Sequence, residues 1–216
     1  MAKIADLSQY QGTIDFTKAK TELDLAIIRV QSGSSTIDRK YKEYVAGCKA
    51  NKIPFGHYAY TKFVSVNDAV TEARDFLARS DKGAEFLVVD VEQITVRNPA
   101  DLIPATQAFI NYLHNNGVKK VGLYTGHSFY YENEMSAVKA DFLWIPRYAK
   151  FDTGFVHTAK PTMPCDLWQY TQCGRLAGVT GYVDLSQLMS GGKDLSYFTG
   201  KLIVEQSIVG SGSTIS

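Results

Sequence analysis

Short apolar runs recur along the chain, and the intervals between them carry the spacing of amphipathic helices. Such runs, rich in β-branched and aromatic residues, are typical of buried strands. Strands that alternate with helices pair in parallel through right-handed crossovers, and about eight of them close into a barrel. The predicted strands cover residues 4–7, 25–30, 53–60, 86–92, 121–124, 142–145, 166–170 and 181–184.

The helical intervals are long in the first half of the chain and thin in the second. Predicted helices span residues 15–23, 38–51, 67–80 and either 99–116 or 101–116. Asp38 and Asn67 are expected to cap helix N-termini with their side-chain oxygens, and Gly117 to follow a helix in the left-handed conformation.

Only a glycine-rich turn separates Tyr170 from Tyr182, so the last strands are expected to form an antiparallel hairpin. The predicted fold class is therefore α/β, an irregular TIM-like (β/α) barrel with about five βα units followed mainly by strands.

Composition and charge exclude several classes of protein. The 216 residues suit one larger domain, and 23 Lys and Arg against 22 Asp and Glu give a net charge of +1. Such a balance does not support nucleic-acid binding through phosphates. No apolar stretch approaches the roughly 18 residues of a membrane span, and the N-terminus lacks the pattern of a signal peptide.

Metal and thiol chemistry are also disfavoured. The cysteines are three in number and have no Cys-x-x-Cys spacing, although a bridge between Cys165 and Cys173 stays open. Cys48 lies in a helical segment without a neighbouring histidine base. The four histidines show no ligand spacing, and no phosphate-binding or dinucleotide-binding glycine motif occurs. The sequence therefore predicts neither a metal nor a cofactor.

Two carboxylates stand at the end of the most apolar predicted strand. Asp90 and Glu92 are two positions apart, so their side chains share a face, with Cα atoms roughly 6.5–7 Å apart. Crowding of like charges pushes two pKa values apart, which leaves one protonated acid and one ionised carboxylate. Glycoside hydrolysis typically uses such a pair of carboxyl groups.

Two further acids are expected at the same opening. Asp6 ends the first predicted strand and Asp184 ends the eighth, and these strands are neighbours in a closed barrel. Chemistry in α/β barrels lies at the carboxyl ends of the strands. Asp6, Asp90, Glu92 and Asp184 are therefore the candidate catalytic residues.

Four further residues are the candidates for substrate binding. Tyr58, Tyr124 and Trp144 lie near predicted strand ends, where aromatic rings either line a sugar site or fill the barrel core. Gln169 and its neighbour Trp168 point to opposite faces of their strand, and Gln169 is the polar candidate for the opening.

The chain resembles the family 25 glycoside hydrolases, muramidases found in many phage endolysins and in some bacteria and fungi. The resemblance covers residues 3–198. It rests on the ordered set DLSQYQG (6–12), GHYAY (56–60), DVE (90–92), LYT (123–125), LWIPRY (143–148), LWQY (167–170) and VD (183–184).

The resemblance implies cleavage of the β-1,4 bond between N-acetylmuramic acid and N-acetylglucosamine, with peptidoglycan strands as the partner. It implies that Glu92 is the general acid, that Asp90 orients or stabilises, and that Asp6 and Asp184 bind substrate or tune Glu92. The 2-acetamido group of the substrate is the implied nucleophile, and an inverting route through water stays open.

Other functions compatible with these acids are a chitinase or glucosaminidase and a noncatalytic glycan-binding barrel. We expect a catalytic domain over residues 1–198, and the small polar residues of the segment 199–216 predict a linker that leads to a wall-binding domain. We expect a monomer that is made in the host cytoplasm without a signal peptide, does not insert into membranes, and acts on the bacterial wall after release.

Overall fold

The computed structural model describes residues 2–200, which form a closed barrel with helices around it. The strands are β1 (Ile4–Leu7), β2 (Leu25–Ser32), β3 (Thr36–Ile37), β4 (Phe55–Tyr60), β5 (Leu87–Asp90), β6 (Val121–Tyr124), β7 (Phe142–Pro146), β8 (Leu167–Gly174) and β9 (Val183–Leu188). The helices are α1 (Phe16–Ala19), α2 (Tyr41–Asn51), α3 (Val66–Arg79), α4 (Leu102–Asn115), α5 (His127–Glu132) and α6 (Leu195–Thr199).

The barrel is parallel except at its last strand. The sheet runs β1-β9-β8-β7-β6-β5-β4-β2 and closes where β1 pairs with β2, while β3 pairs only with the end of β2. A helix follows each of β1, β2, β4, β5 and β6, and thereafter strands dominate. The predicted barrel class, its βα units and its antiparallel hairpin are confirmed.

The antiparallel direction of β9 corrects the prediction for Asp184. This residue lies near the start of β9, paired in register with Asp6, and not at the end of a parallel strand. Because β9 runs against its neighbours, its beginning lies at the edge where the parallel strands end. Asp184 therefore reaches the predicted opening for a different topological reason.

The barrel interior is apolar at one end and polar at the other. At the amino ends of the parallel strands, α6 inserts Phe198 against Phe86 and Phe142, with ring centroids 5.5 and 5.0 Å away. These rings need space, and a Cβ at Gly56 or Gly122 would lie 2.3 or 2.2 Å from one of them. The packed aromatic end leaves the carboxyl ends as the open mouth.

The second core lies between the barrel wall and the helices. Helix α3 buries Ala69, Ala73 and Phe76, and its ring at Phe76 lies 6.1 Å from that of Phe109 in α4. The spacing of these apolar positions places them on one face of each helix, which explains why the sequence periodicity predicted both helices. Burial of this face stabilises the outer layer.

Two predicted helix caps are wrong. Asp38 does not cap α2, whose first turn follows Lys40; its carboxylate instead accepts hydrogen bonds from Arg29. Helix α3 is capped by Ser65, which accepts from the backbone N–H of Asp68, so Asn67 already lies inside the helix. At Asp38 the competing partner Arg29 explains the difference from the prediction.

Several predicted boundaries also change. The strand β5 ends at Asp90, so Glu92 stands in the loop beyond it and not within the strand. Helix α1 is a single turn capped by Asp15, while Gly117 has the expected positive φ of 90° after α4. The three cysteines are free thiols, which decides the open question about Cys165 and Cys173.

The described fold continues past residue 198, because α6 ends at Thr199. The linker was predicted over residues 199–216, and residues 201–216 of it lie outside the described residues. None of the helices within residues 2–200 has the length and apolarity that crossing a membrane requires.

Candidate active site

A cavity of about 200 Å³ opens at the carboxyl ends of the parallel strands. All eight residues selected from the sequence line it: Asp6, Tyr58, Asp90, Glu92, Tyr124, Trp144, Gln169 and Asp184. The barrel thus gathers residues from β1, β4, β5, β6, β7, β8 and β9 around one space.

One pair of acids joins the first and last strands. Asp6 is buried and Asp184 is partly exposed, and their carboxyl groups share a hydrogen bond. Burial, followed by the charge of Asp184, raises the pKa of Asp6 well above its ordinary value. Burial also raises the pKa of Asp184 to about 6, although its hydrogen bond with Asp6 acts in the opposite direction. This pair therefore retains a proton in weakly acidic solution.

The second pair consists of Asp90 and Glu92, which also share a hydrogen bond between their carboxyl groups. Asp90 is buried, and burial followed by the charge of Glu92 raises its pKa strongly. Glu92 is exposed at the rim, yet the cavity walls partly desolvate its carboxyl group and raise its pKa. The hydrogen bond with Asp90 lowers the pKa of Glu92, and the charge of Asp184 raises it to a smaller extent, so desolvation is the main cause of the net increase.

Gln169 connects the acids to two tyrosines. Its amide nitrogen donates to Asp6 Oδ2 at 2.8 Å. Its amide oxygen accepts from the hydroxyls of Tyr124 at 2.8 Å and Tyr148 at 2.5 Å. Because the acceptor and a donor of this amide are both engaged, its orientation is determined, and the orientation of Asp6 with it.

The aromatic candidates form the floor and one wall. The indole N–H of Trp144 donates to Ser186 Oγ at 3.0 Å, and its ring meets those of Tyr124 and Tyr58 edge to face. The hydroxyl of Tyr124 is already used by Gln169. The half-buried Tyr58 makes no side-chain hydrogen bond to any residue in the described range 2–200, so its hydroxyl is available to a ligand.

Sequence reasoning missed four residues that line the cavity: Ser8, Tyr10, Arg29 and Tyr60. Ser8 and Tyr10 lie within four residues after Asp6, and Tyr60 shares the inward face of β4 with Tyr58. Arg29 interrupts an apolar strand, and a charged residue in such a run is a signal that a strand face meets a polar site. Arg147, left outside the candidate set, binds the Lys160 carbonyl and does not line the cavity.

The arrangement supplies two acid pairs, each with a buried member and a more accessible member. Two nearby carboxyls that share one proton can deliver it to a ligand and take it back. The open rim at Glu92, the hydroxyl of Tyr58 and the aromatic floor are suited to a polar ring compound such as a sugar.

Comparison with known proteins agrees with this geometry. The model of the glycosyl hydrolases family 25 matches residues 5–179. An autolytic lysozyme of Clostridium acetobutylicum is 29% identical over 193 residues, which are 86% of this chain and 55% of the lysozyme. The chain thus spans about half the length of this curated relative.

Solved structures share the whole barrel. The catalytic domain of endolysin ply40 from bacteriophage P40 of Listeria monocytogenes has a TM-score of 0.86 and 30% identity, covering 93% of this chain and 98% of that one. GHIP of Streptococcus pneumoniae, a glycosyl hydrolase 25, has a TM-score of 0.82 and 26% identity, covering 91% of each chain. The family match, the relatives and the acid-lined mouth lead to one conclusion: the chain belongs to family 25 of the glycosyl hydrolases.

Proposed function

We propose that this glycoside hydrolase is a peptidoglycan muramidase of the bacterial wall, which cleaves the β-1,4 bond between N-acetylmuramic acid and N-acetylglucosamine. The observation that carries the proposal is the Asp90–Glu92 pair, one acid buried and one at the rim, facing a second acid pair across one cavity. The named relatives, an autolytic lysozyme and a phage endolysin, support the substrate class.

Glu92 is the proton donor in this mechanism. It is the more exposed member of its pair, so a glycosidic oxygen can reach it, and its raised pKa keeps a proton available. As the C1–O bond breaks, the proton moves from Glu92 to the leaving oxygen. General acid catalysis of this kind contributes typically ~10²–10⁴-fold.

Asp90 orients the 2-acetamido group. Its Oδ1 atom is buried and has no hydrogen-bond partner among residues 2–200, so it can accept the acetamido N–H of a bound sugar. A donor to Asp90 favours its ionised form, and the proton shared by the pair then resides on Glu92. The acetamido oxygen forms the new bond to C1, and water later opens this intermediate with Glu92 as the base.

Asp6 and Asp184 tune the site from the opposite side. The charge of Asp184 raises the pKa of Glu92, after the larger effect of desolvation. The hydrogen bond from Gln169 keeps Asp6 directed toward Asp184. This pair thus helps to keep the donor protonated as the cavity fills.

The test is product analysis on isolated cell walls, with wild type and Glu92→Gln side by side. We expect new reducing ends of N-acetylmuramic acid and at least a ~100-fold loss in the variant, because an amide keeps the shape but holds no transferable proton. Glu132→Gln, which changes an exposed glutamate of α5, is the matched control and should retain full activity.

Three outcomes would count against the proposal. Reducing ends of N-acetylglucosamine would assign the chain to the glucosaminidase alternative, and binding without turnover would assign it to a lectin. Full activity of Glu92→Gln would show that Glu92 is not the proton donor.

Proton NMR of the first product tests the acetamido route, which retains the anomeric configuration. An inverted product would require direct attack by water.

A further inference from the structure

Arg29 is the one cation among the described residues that line the acidic cavity. Its Nε and Nη2 atoms both lie 2.9 Å from Asp38 Oδ2, and no other acid within residues 2–200 forms an ion pair with it. The Asp38 side chain is 0% exposed and also accepts the backbone N–H groups of Gln9 and Lys40. The buried carboxylate of Asp38, itself fixed by two backbone N–H groups, therefore holds the guanidinium of Arg29 in one position.

The remaining nitrogen of this guanidinium is unused. Nη1 makes no hydrogen bond to any described residue, and the side chain is 13% exposed on the cavity side. The ring of Tyr10 covers the guanidinium at 5.1 Å and is itself 78% exposed at the rim. A fixed, largely desolvated donor beside an open aromatic face is a site for an oxygen acceptor on a ring compound.

The register of the strands places Arg29 near Asp90. Arg29 of β2 pairs in register with Tyr58 of β4, and Tyr60 pairs with Asp90 of β5. The guanidinium thus lies on the same side of the mouth as Asp90, with a single strand between them. A group that projects from the sugar bound over Asp90 can reach it.

We infer that Arg29, with Tyr10, recognises the lactyl oxygen that distinguishes muramic acid from glucosamine. This inference rests on the proposed muramidase function and assigns the specificity of its cavity. The lactyl ether ends in a carboxylate when the stem peptide is absent and in an amide carbonyl when it is present, and both are acceptors for Nη1. A glucosamine unit carries neither group, so its binding does not use Arg29.

The substitution Arg29→Lys tests whether Arg29 recognises the lactyl oxygen. Lysine keeps the positive charge beside Asp38, but its single ammonium replaces the planar fork, so it cannot bind Asp38 as Nε and Nη2 do and also place a donor where Nη1 lies. Binding is measured in the Glu92→Gln background, where turnover is expected to be at least ~100-fold slower. The probes are a tetrasaccharide of alternating N-acetylmuramic acid and N-acetylglucosamine, the same strand with stem peptides, and a tetrasaccharide of N-acetylglucosamine alone.

We expect Arg29→Lys to raise Kd at least tenfold for the muramic strand and less than twofold for the glucosamine strand. Loss on the peptide-free strand alone identifies the carboxylate as the acceptor, and loss on the peptide-bearing strand alone identifies the amide carbonyl. The control Arg175→Lys changes another arginine stacked on an exposed tyrosine, Tyr182, outside the cavity. It should alter no Kd by more than twofold.

Equal losses on the muramic and glucosamine strands, or no loss on either, would overturn the inference. If Arg29→Lys does not fold, the double variant Arg29→Met with Asp38→Asn removes both charges, so no buried carboxylate is left unpaired. The same preference for the muramic strand must then disappear. Product analysis of the wild type tests the proposed function independently, because it involves no change at Arg29.

Discussion

Replacement of Gln169 by leucine tests whether the amide network holds the site together. In the folded protein the buried Gln169 accepts hydrogen bonds from Tyr124 and Tyr148 and donates one to Asp6. Leucine has a similar size and can make none of these bonds. The variant therefore leaves two hydroxyls and one carboxyl group without their partner while the packing volume changes little.

The magnitude follows from the three lost bonds. Each neutral bond contributes about 1 kcal/mol, and a bond to a charged group about 1.5–3 kcal/mol. The hydroxyl of the half-buried Tyr148 can turn to water, and burial of an apolar leucine offsets part of the loss. A decrease of about 3 kcal/mol in the free energy of unfolding is expected, equivalent to roughly 6–12 °C in Tm for a domain of this size.

Urea and thermal denaturation at pH 8 and pH 4 measure the effect. The amide N–H stabilises the ionised form of Asp6 and so lowers its pKa against the larger effect of burial. The loss should therefore be greater at pH 8. Gln172→Leu, an exposed position of the same strand, should change stability by less than about 0.5 kcal/mol. A Gln169→Leu effect as small as that of the control would refute the network.

Substitutions at Asp184 and Asp90 are expected to change the pH dependence of activity and of stability, respectively. Asp184→Asn removes a charge that raises the pKa of Glu92, so the alkaline limb of kcat/KM should move to lower pH. If the alkaline limb stays at the same pH, the charge of Asp184 does not influence the pKa of the proposed proton donor Glu92. Asp90→Asn should raise Tm at pH 8 and have a smaller effect at pH 4. The folded pKa of Asp90 lies above its unfolded value, so the stability it contributes is present at low pH and lost as pH rises through the folded pKa. Equal Tm changes at the two pH values would contradict this account.

The barrel could be predicted from the sequence because strands and helices are marked by local, periodic patterns of apolar residues. Apolar runs mark strands, alternation with helices requires parallel pairing, and the alternation of side chains along β4 places Tyr58 and Tyr60 on one face. Strand ends that carry acids then converge because a barrel has one carboxyl edge. These steps need no knowledge of distant contacts, so they could be made from the chain alone.

Tertiary partners explain what the sequence could not reveal. Asp38 has the residue type of a helix cap, yet Arg29, nine positions earlier, competes for its carboxylate and prevails. Arg29 stands out in the apolar run of β2, but the sequence does not show that its partners are Asp38 and Tyr10, which lie on other segments. Tyr148 could not be assigned to the site, since its link to the acids passes through Gln169 on another strand.

Burial of the acids raises their pKa values for catalysis, and it also lowers the free energy of unfolding when they are ionised. Asp6 and Asp90 are the buried members of their pairs, and burial raises the pKa of each, so their ionisation is less favourable in the folded protein than in the unfolded chain. The opposite end of the barrel is packed with aromatic rings around Phe198, and burial of apolar surface there stabilises the fold. Substitutions that neutralise the buried acids should therefore stabilise the protein and inactivate it together, while substitutions in the aromatic end should destabilise it without altering the pH dependence of catalysis.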